Sequence, residues 1–327
     1  MHFSAAHPFF FLAIFIALAM RVNATLPIRM LTHNIRYAAS VPFIGEKPWP
    51  ERKQLILNQL HYNTLHNPEA FICLQEVLHE QLVDILAGLG DEWTHIGVGR
   101  DDGKEKGEYS PIVYRKGVWE PTTWQTVWLN EDGSIGKKGW DAGSVRILTV
   151  GTFRHRESKE VIVGMSTHLD NSGMIARRES AKIILQTIDA VTATTNLTNS
   201  SFGVRDRLPF FLSGDLNSEI DGEAYQILNN STASTQDAKD LAKWRYGDTN
   251  TFTDFGDNEK RFTLIDFVFV GPRGGTNWDV EGYSVLPNKF EDGVFSSDHR
   301  AVVVDGILSI GGIEGKWNGW LQRGTGV

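Results

Sequence analysis

The chain of 327 residues contains one cysteine, Cys73. No intrachain disulfide can form, so stability must come from the size of the core, from glycans or from bound ions. Cys73 lies in the apolar run Ala70 to Leu74, a setting for an inert buried thiol. Basic runs are also missing. Lys and Arg adjoin only in pairs, such as Lys137-Lys138 and Arg177-Arg178, and the formal charge is -8. Proteins that track a polyanion usually carry a basic face, so this balance argues against non-specific nucleic-acid binding, although net charge does not report local grouping. There is no internal repeat and no linker rich in Pro or Gly. After the N-terminus no segment is long and apolar enough to cross a membrane.

The N-terminus itself is apolar. Phe9 to Met20 is an unbroken hydrophobic run, shorter than the roughly 20 residues a span requires, and small residues follow near Ala24. That pattern reads as a secretory signal over residues 1–24, with the functional domain over 25–327 and a secreted, extracellular product. Acceptor sequons stand at Asn196, Asn199, Asn229 and Asn230. Together with a signal peptide they predict a secreted glycoprotein without a transmembrane anchor, expected to be a monomer.

Short apolar runs rich in Val, Ile and Phe recur along the chain: Ile28–Leu31, Ala70–Leu74, Pro111–Tyr114, Val161–Met165, Pro209–Leu212, Ile265–Val270 and Ala301–Val304. Their length and polar or Gly boundaries predict strands. Helical spacing appears in Glu51–His66, Glu80–Leu89 and Ala176–Val191. Between Pro111 and Met165 strands follow one another with no helix, which argues against a simple alternating wind and for two packed sheets with helices outside.

Polar groups able to bind metal cluster at the edges of these runs: Asn34, Glu76, His168 with Asp170, Asp215 with Asn217, Asp266, and Asp298 with His299. One such carboxylate would be an ordinary cap. Six strand edges holding only Asn, Asp, Glu and His are hard to explain that way, and strand ends on one rim of a sheet can converge. The ordered segments LTHNIRY, LQEV, STHLDN, SGDLNS, IDFVFV and SSDHRAV resemble the endonuclease/exonuclease/phosphatase superfamily over about Ile28 to Asp305. The resemblance implies an α+β fold, a four-layer α/β/β/α sandwich of two packed mixed sheets flanked by helices, with the site at one end of the sheets.

It also implies a chemistry. A phosphoester is an anion that repels nucleophiles, and a divalent cation relieves that repulsion. Hard oxygen donors suit Mg²⁺, with Mn²⁺ as a possible substitute. Glu76, Asn34 and Asp298 are the implied metal-site residues, and Asn34 could instead meet a phosphate oxygen. His299 would activate water or stabilise the phosphoryl group, with Asp266 orienting its ring. Asp215 and Asn217 would hold the attacking water and the phosphate. His168 would donate to a phosphate oxygen, backed by Glu108. Arg146 falls where the family often carries a phosphate-facing arginine, or else makes a structural ion pair. Asp170 would support the site or cap the following helix.

The segments Gly99–Arg115 and Thr126–Gly143 depart from the nuclease pattern. They mix charges, and their Trp128 and Trp140 could shape a pocket or pack the rim. The expected activity is therefore a metal-dependent phosphoesterase acting on a phosphomonoester or phosphodiester, with a small or lipid-linked substrate favoured over nucleic acid. The alternatives are a secreted deoxyribonuclease-like nuclease and an inactive binding module on the same fold. A dead module would be expected to have lost Glu76, Asp215 or His299, and all three are present.

Overall fold

The computed structural model describes residues 25–193, 207–256, 258–275 and 277–310. The leader read over residues 1–24 and the sequons at Asn196 and Asn199 lie outside the described residues. The elements run β1 (Thr25–Asn34), α1 (Trp49–Thr64), β2 (Phe71–Gln75), α2 (His79–Leu89), β3 (Trp93–Ile96), β4 (Ile112–Arg115), β5 (Trp119–Trp128), β6 (Ile147–His155) and β7 (Val161–His168). They continue with α3 (Met174–Thr192), β8 (Phe210–Asp215), α4 (Glu223–Leu228), β9 (Gln236–Asp237), α5 (Ala238–Leu241), β10 (Trp244–Gly247), β11 (Asp266–Gly271), β12 (Trp278–Val285) and β13 (Val302–Ser309).

The strands form two mixed sheets, ordered β10-β12-β13-β1-β2-β4-β3 and β5-β6-β7-β8-β11-β9. Parallel pairing joins β1 to β2 and β7 to β8, and antiparallel neighbours flank both pairs. Alternation of side chains explains the layers. On β2, Phe71 and Cys73 enter the core between the sheets, while Ile72 and Leu74 face α1 and α2. On β8, Phe211 points inward and Phe210 and Leu212 face α3 and α4. Both faces of each central strand are therefore apolar, as strands covered on both sides must be. The middle layer is centred on Phe71, whose ring lies 4.7 Å from Trp119, 5.0 Å from Phe153 and 5.1 Å from Phe211, between ring centroids. This is the expected four-layer sandwich.

Helix α1 opens with Pro50 in its first turn, where a missing N–H costs nothing. Helix α2 stops at Gly90, whose φ of 98° a side chain would resist. The start of α3 is capped from a distance: Asp141 accepts the backbone N–H groups of Ile175 and Ala176. Strands β3, β5, β6, β9, β10 and β12 and helices α4 and α5 have no individual counterpart among the runs named from the sequence. Most are short, and β10 is exposed along its length, which leaves little hydrophobic pattern.

Candidate active site

The six polar clusters meet at one rim. Asn34, Glu76, His168 and Asp215 lie at or just past the C-terminal ends of β1, β2, β7 and β8. Asp266 and the Asp298–His299 pair arrive from the opposite direction, ahead of or at the start of antiparallel β11 and β13. An antiparallel strand presents its beginning where its neighbour ends, so both kinds of end reach one place. Register completes the convergence. His168 pairs with Asp215 across β7 and β8, and Asp215 with Asp266 across β8 and β11. Gly214 allows this approach, because a Cβ there would lie 2.1 Å from the Thr167 carbonyl oxygen.

Asn34 links the two sheets. Its Nδ2 donates to Glu76 Oε1 and to Asp215 Oδ2, each at 3.1 Å, and its Oδ1 accepts the Arg36 amide at 3.0 Å. That pattern assigns the amide, since the reverse orientation would set oxygen against two carboxylates. Asn34 thus turns its nitrogen toward the acids in this arrangement. Glu76 Oε2 accepts the Tyr37 N–H at 3.2 Å and faces Arg36 Nη1 at 3.5 Å. Burial alone would raise this carboxyl, but Arg36 and Asn34 hold it below its ordinary value. Arg36, Glu76 and Asn217 all adopt positive φ, at 57°, 59° and 46°. Such backbone costs on the order of 1–3 kcal/mol each, and here it collects at the site.

Asp266 and His299 form the orienting pair expected from the sequence, with His299 Nδ1 2.8 Å from Asp266 Oδ2. The ring also lies against Phe252, 5.1 Å between centroids. Burial disfavours a charged imidazole, yet Asp266, Asp215 and Asp298 around it raise His299 to about 10. Burial and Asp266 push Asp215 up to about 7, and burial, with Glu76 adding to it, pushes Asp298 up to about 6. Asp215 Oδ2 lies 3.7 Å from His299 Nε2 and 3.5 Å from His168 Nε2. Ser297 ties the last loop down by donating to the Asn34 carbonyl and accepting the His299 N–H.

His168 is placed differently from a simple donor. Asn217 Nδ2 donates to its Nε2 at 3.0 Å, so the ring proton sits on Nδ1. Burial first, then Arg146 and Arg100, hold His168 well below its ordinary value and keep it neutral. Glu108 lies 3.8 Å from His168 Nδ1, outside hydrogen-bonding distance, and instead makes a two-pronged ion pair with Arg100 at 2.7 and 2.8 Å. Arg146 is buried at the cleft, with Nε on Asp170 at 3.2 Å, Nη2 on Asn171 at 3.1 Å and Nη1 without a hydrogen-bond partner. Asp170 proves to be a hub. Its carboxylate accepts N–H groups from Gly143, Ser144, Ser172 and Gly173 as well as the arginine. Trp128 packs in the rim with Val145 and Ile147, and neither it nor Trp140 lines the cleft.

Three further residues had no place in the sequence reading. Arg100 competes for Glu108, and its only signal is a position nine residues before the Tyr109-Ser110-Pro111 segment that leads into β4. Arg36 lines the cleft two residues after Asn34, and the NIRY segment gave it no assigned role. Fully buried Arg52 donates to the carbonyls of Ile35, Arg36, Lys47 and Ser296, joining the loop after β1 to the loop that carries Asp298.

Metal-binding capacity has two sources here. Asp215, Asp266 and His299 each offer a ligand atom, all within 4.8 Å of one another. Glu76 and Asp298 offer oxygen donors beside them, and Glu76 adds to the raising of both Asp298 and Glu108, an excess of negative charge that a cation would relieve. Because His299 Nδ1 is already bonded to Asp266, the Glu76–Asp298 side is the better fit for a hard divalent ion.

No protein-family model and no curated protein matches the chain. Solved structures do match. An endonuclease/exonuclease/phosphatase from Bacteroides vulgatus is 32% identical at a TM-score of 0.73, covering 86% of this chain and 99% of that one. A family protein from Bacteroides thetaiotaomicron is 26% identical at a TM-score of 0.74, covering 87% of this chain and 99% of that one. A mannosyl-6-phosphatase from the same species is 27% identical at a TM-score of 0.73, covering 85% and 99%. The chain belongs to the endonuclease/exonuclease/phosphatase family, and all three activities in that name cleave phosphoesters.

Proposed function

We propose that the protein is a divalent-metal-dependent phosphoesterase, using Mg²⁺ or Mn²⁺, whose substrate is a small phosphoester. The observation that carries the substrate choice is the charge of the cleft, which has a volume of about 1110 Å³. Five arginines line it against eight carboxylates. Each arginine already has an acidic partner: Arg36 with Glu46 and Glu76, Arg100 with Glu108, Arg146 with Asp170, Arg177 with Glu223, and Arg261 with Asp254. None of Lys104, Lys106, Lys137 and Lys138 lines it. Such a cleft accommodates one phosphate beside a metal better than a polyanionic strand. The likeness to a mannosyl-6-phosphatase favours a sugar phosphate as the first substrate to try.

In this reading Glu76 and Asp298 hold the cation, with Asn34 fixing Glu76 from the other side. The bound ion would neutralise the phosphate and the departing oxygen. His299, aimed by Asp266, and Asp215 flank the place of attack and manage the proton of the incoming water. The free Nη1 of Arg146 is the donor for the phosphate, while Asn217, whose Nδ2 is spent on His168 and the Leu169 carbonyl, holds the imidazole in place. Export of the chain is part of the proposal. Of the described sequons, Asn230 is exposed. Asn229 spends its side chain on Tyr225, Asp237, Asp240 and Arg273, so a glycan belongs on Asn230.

The test is hydrolysis by the purified protein of sugar phosphates, other small monoesters, diesters, phospholipid head groups and plasmid DNA, with Mg²⁺ and with EDTA. Turnover of small monoesters, abolished by EDTA, is expected. Efficient plasmid degradation at physiological salt would move the assignment to a nuclease, and no turnover of any substrate would leave a binding module.

A further inference from the structure

Arg36 stands out among the cleft cations because it is built into the acidic group proposed to hold the metal. Its guanidinium lies 3.5 Å from Glu76 and 3.3 Å from Glu46, and it is almost wholly buried. Aromatic faces clamp it on the remaining sides, with Tyr37 at 4.2 Å and Phe43 at 4.5 Å from the ring centroids. The backbone is also fixed. The Arg36 amide donates to Asn34, its carbonyl accepts from Arg52 and Gln81, and its φ is 57°. A charge held this firmly does not leave when another cation arrives.

We propose that Arg36 is a resident counter-charge for Glu76 that competes with the divalent ion, keeping the metal-free acidic group neutral enough to stay folded and setting metal affinity low. This rests on the reading of Glu76 as a metal ligand. The physical reason is Coulombic. A fixed positive charge within a few ångströms of a ligand repels a divalent ion, and at a partly buried site that repulsion is worth tenfold or more in affinity, on the order of 1.4 kcal/mol at the least. A structural arginine that merely aims Glu76 would have the opposite effect, since its loss would weaken binding. An arginine that grips the substrate phosphate would leave metal affinity alone.

Isothermal titration of the metal-free full chain with Mg²⁺ and Mn²⁺ separates these roles without any assay of turnover. Arg36→Met keeps the stem between the two rings and should bind metal about tenfold tighter or more. Arg36→Lys keeps the charge and should stay near the wild type. Because Arg36→Met leaves the buried Glu46 with Arg52, at 3.8 Å, as its one remaining cationic partner beside the Phe43 amide, the double variant Arg36→Met/Glu46→Gln provides a folded background if the single one fails. Glu76→Gln is the control. Tighter binding in the Met variants, with binding lost in Glu76→Gln, supports the proposal. Unchanged or weaker binding in the Met variants, with binding still lost in Glu76→Gln, overturns it. Wild-type affinity in Glu76→Gln overturns the ligand assignment itself, and the proposal falls with it.

Discussion

Both oxygens of Glu76 are held, one by Asn34 and the other by the Tyr37 amide and Arg36, so the carboxylate is presented in one orientation. Replacing it with Gln swaps an anion for a neutral amide whose nitrogen must face a donor. Glu76→Gln should cut hydrolysis by about a hundredfold or more, in the range seen when one group that stabilises transition-state charge is removed. Activity near wild type in that variant, measured at saturating Mg²⁺, would remove Glu76 from the mechanism. Asp266 and His299 act as one unit, at 2.8 Å with the acid fully buried. The losses in Asp266→Asn and His299→Ala should therefore not multiply, and the double variant should resemble the worse single one. Kinetics of all three variants decide the point, and losses that multiply would dissolve the pairing.

At the scale of elements, the long connection from β5 to β6 and the start of α3 are joined through Asp170, which gathers four backbone N–H groups and Arg146. Burial would raise this carboxyl, but the Gly143 and Gly173 amides and Arg146 hold it at about 2. Asp170→Asn turns an amide group toward donors and removes the charge that aims the arginine. KM should rise about tenfold with a smaller change in kcat, since a misplaced phosphate anchor weakens binding more than chemistry. Far-UV dichroism should show the fold retained. A loss confined to kcat would mean that Asp170 acts on the reacting groups rather than through Arg146.

Across the whole molecule, His33 couples the site to stability. It is fully buried beneath the rim and its Nε2 lies 3.2 Å from the His299 carbonyl, so the neutral ring donates there. Burial lowers it from 6.5 to about 4. A folded value below the unfolded one means that its contribution is present above pH 6.5 and is lost as pH falls toward 4. The full swing is on the order of 3 kcal/mol. His33→Gln keeps a donor and removes the titration, so denaturant melts of the metal-free protein between pH 7 and 4 should fall less steeply in the variant. Parallel curves for the two proteins would show that His33 does not carry this dependence.

The strand-length runs and the order of the polar motifs were legible in the chain because apolar alternation and motif spacing are local properties. They sufficed to name the residues around Asn34, Glu76, Asp215 and His299 and the sandwich that holds them. Charge pairing was not legible, because it depends on which groups the folded backbone brings together and not on their spacing in the chain. Glu108 is eight residues from Arg100 and next to neither His168 nor Glu76 in sequence, yet its partner is settled by the turn between them. The proton position on His168 depends on Asn217, 49 residues away. Arg36 sits inside the LTHNIRY segment with no role the sequence assigns, and folding places Glu46, Glu76, Tyr37 and Phe43 around it. The amino-acid order determined which groups the cleft contains, and only the tertiary structure decided which of them are already neutralised by a neighbour, because Coulomb energy depends on distance and burial and not on separation along the chain.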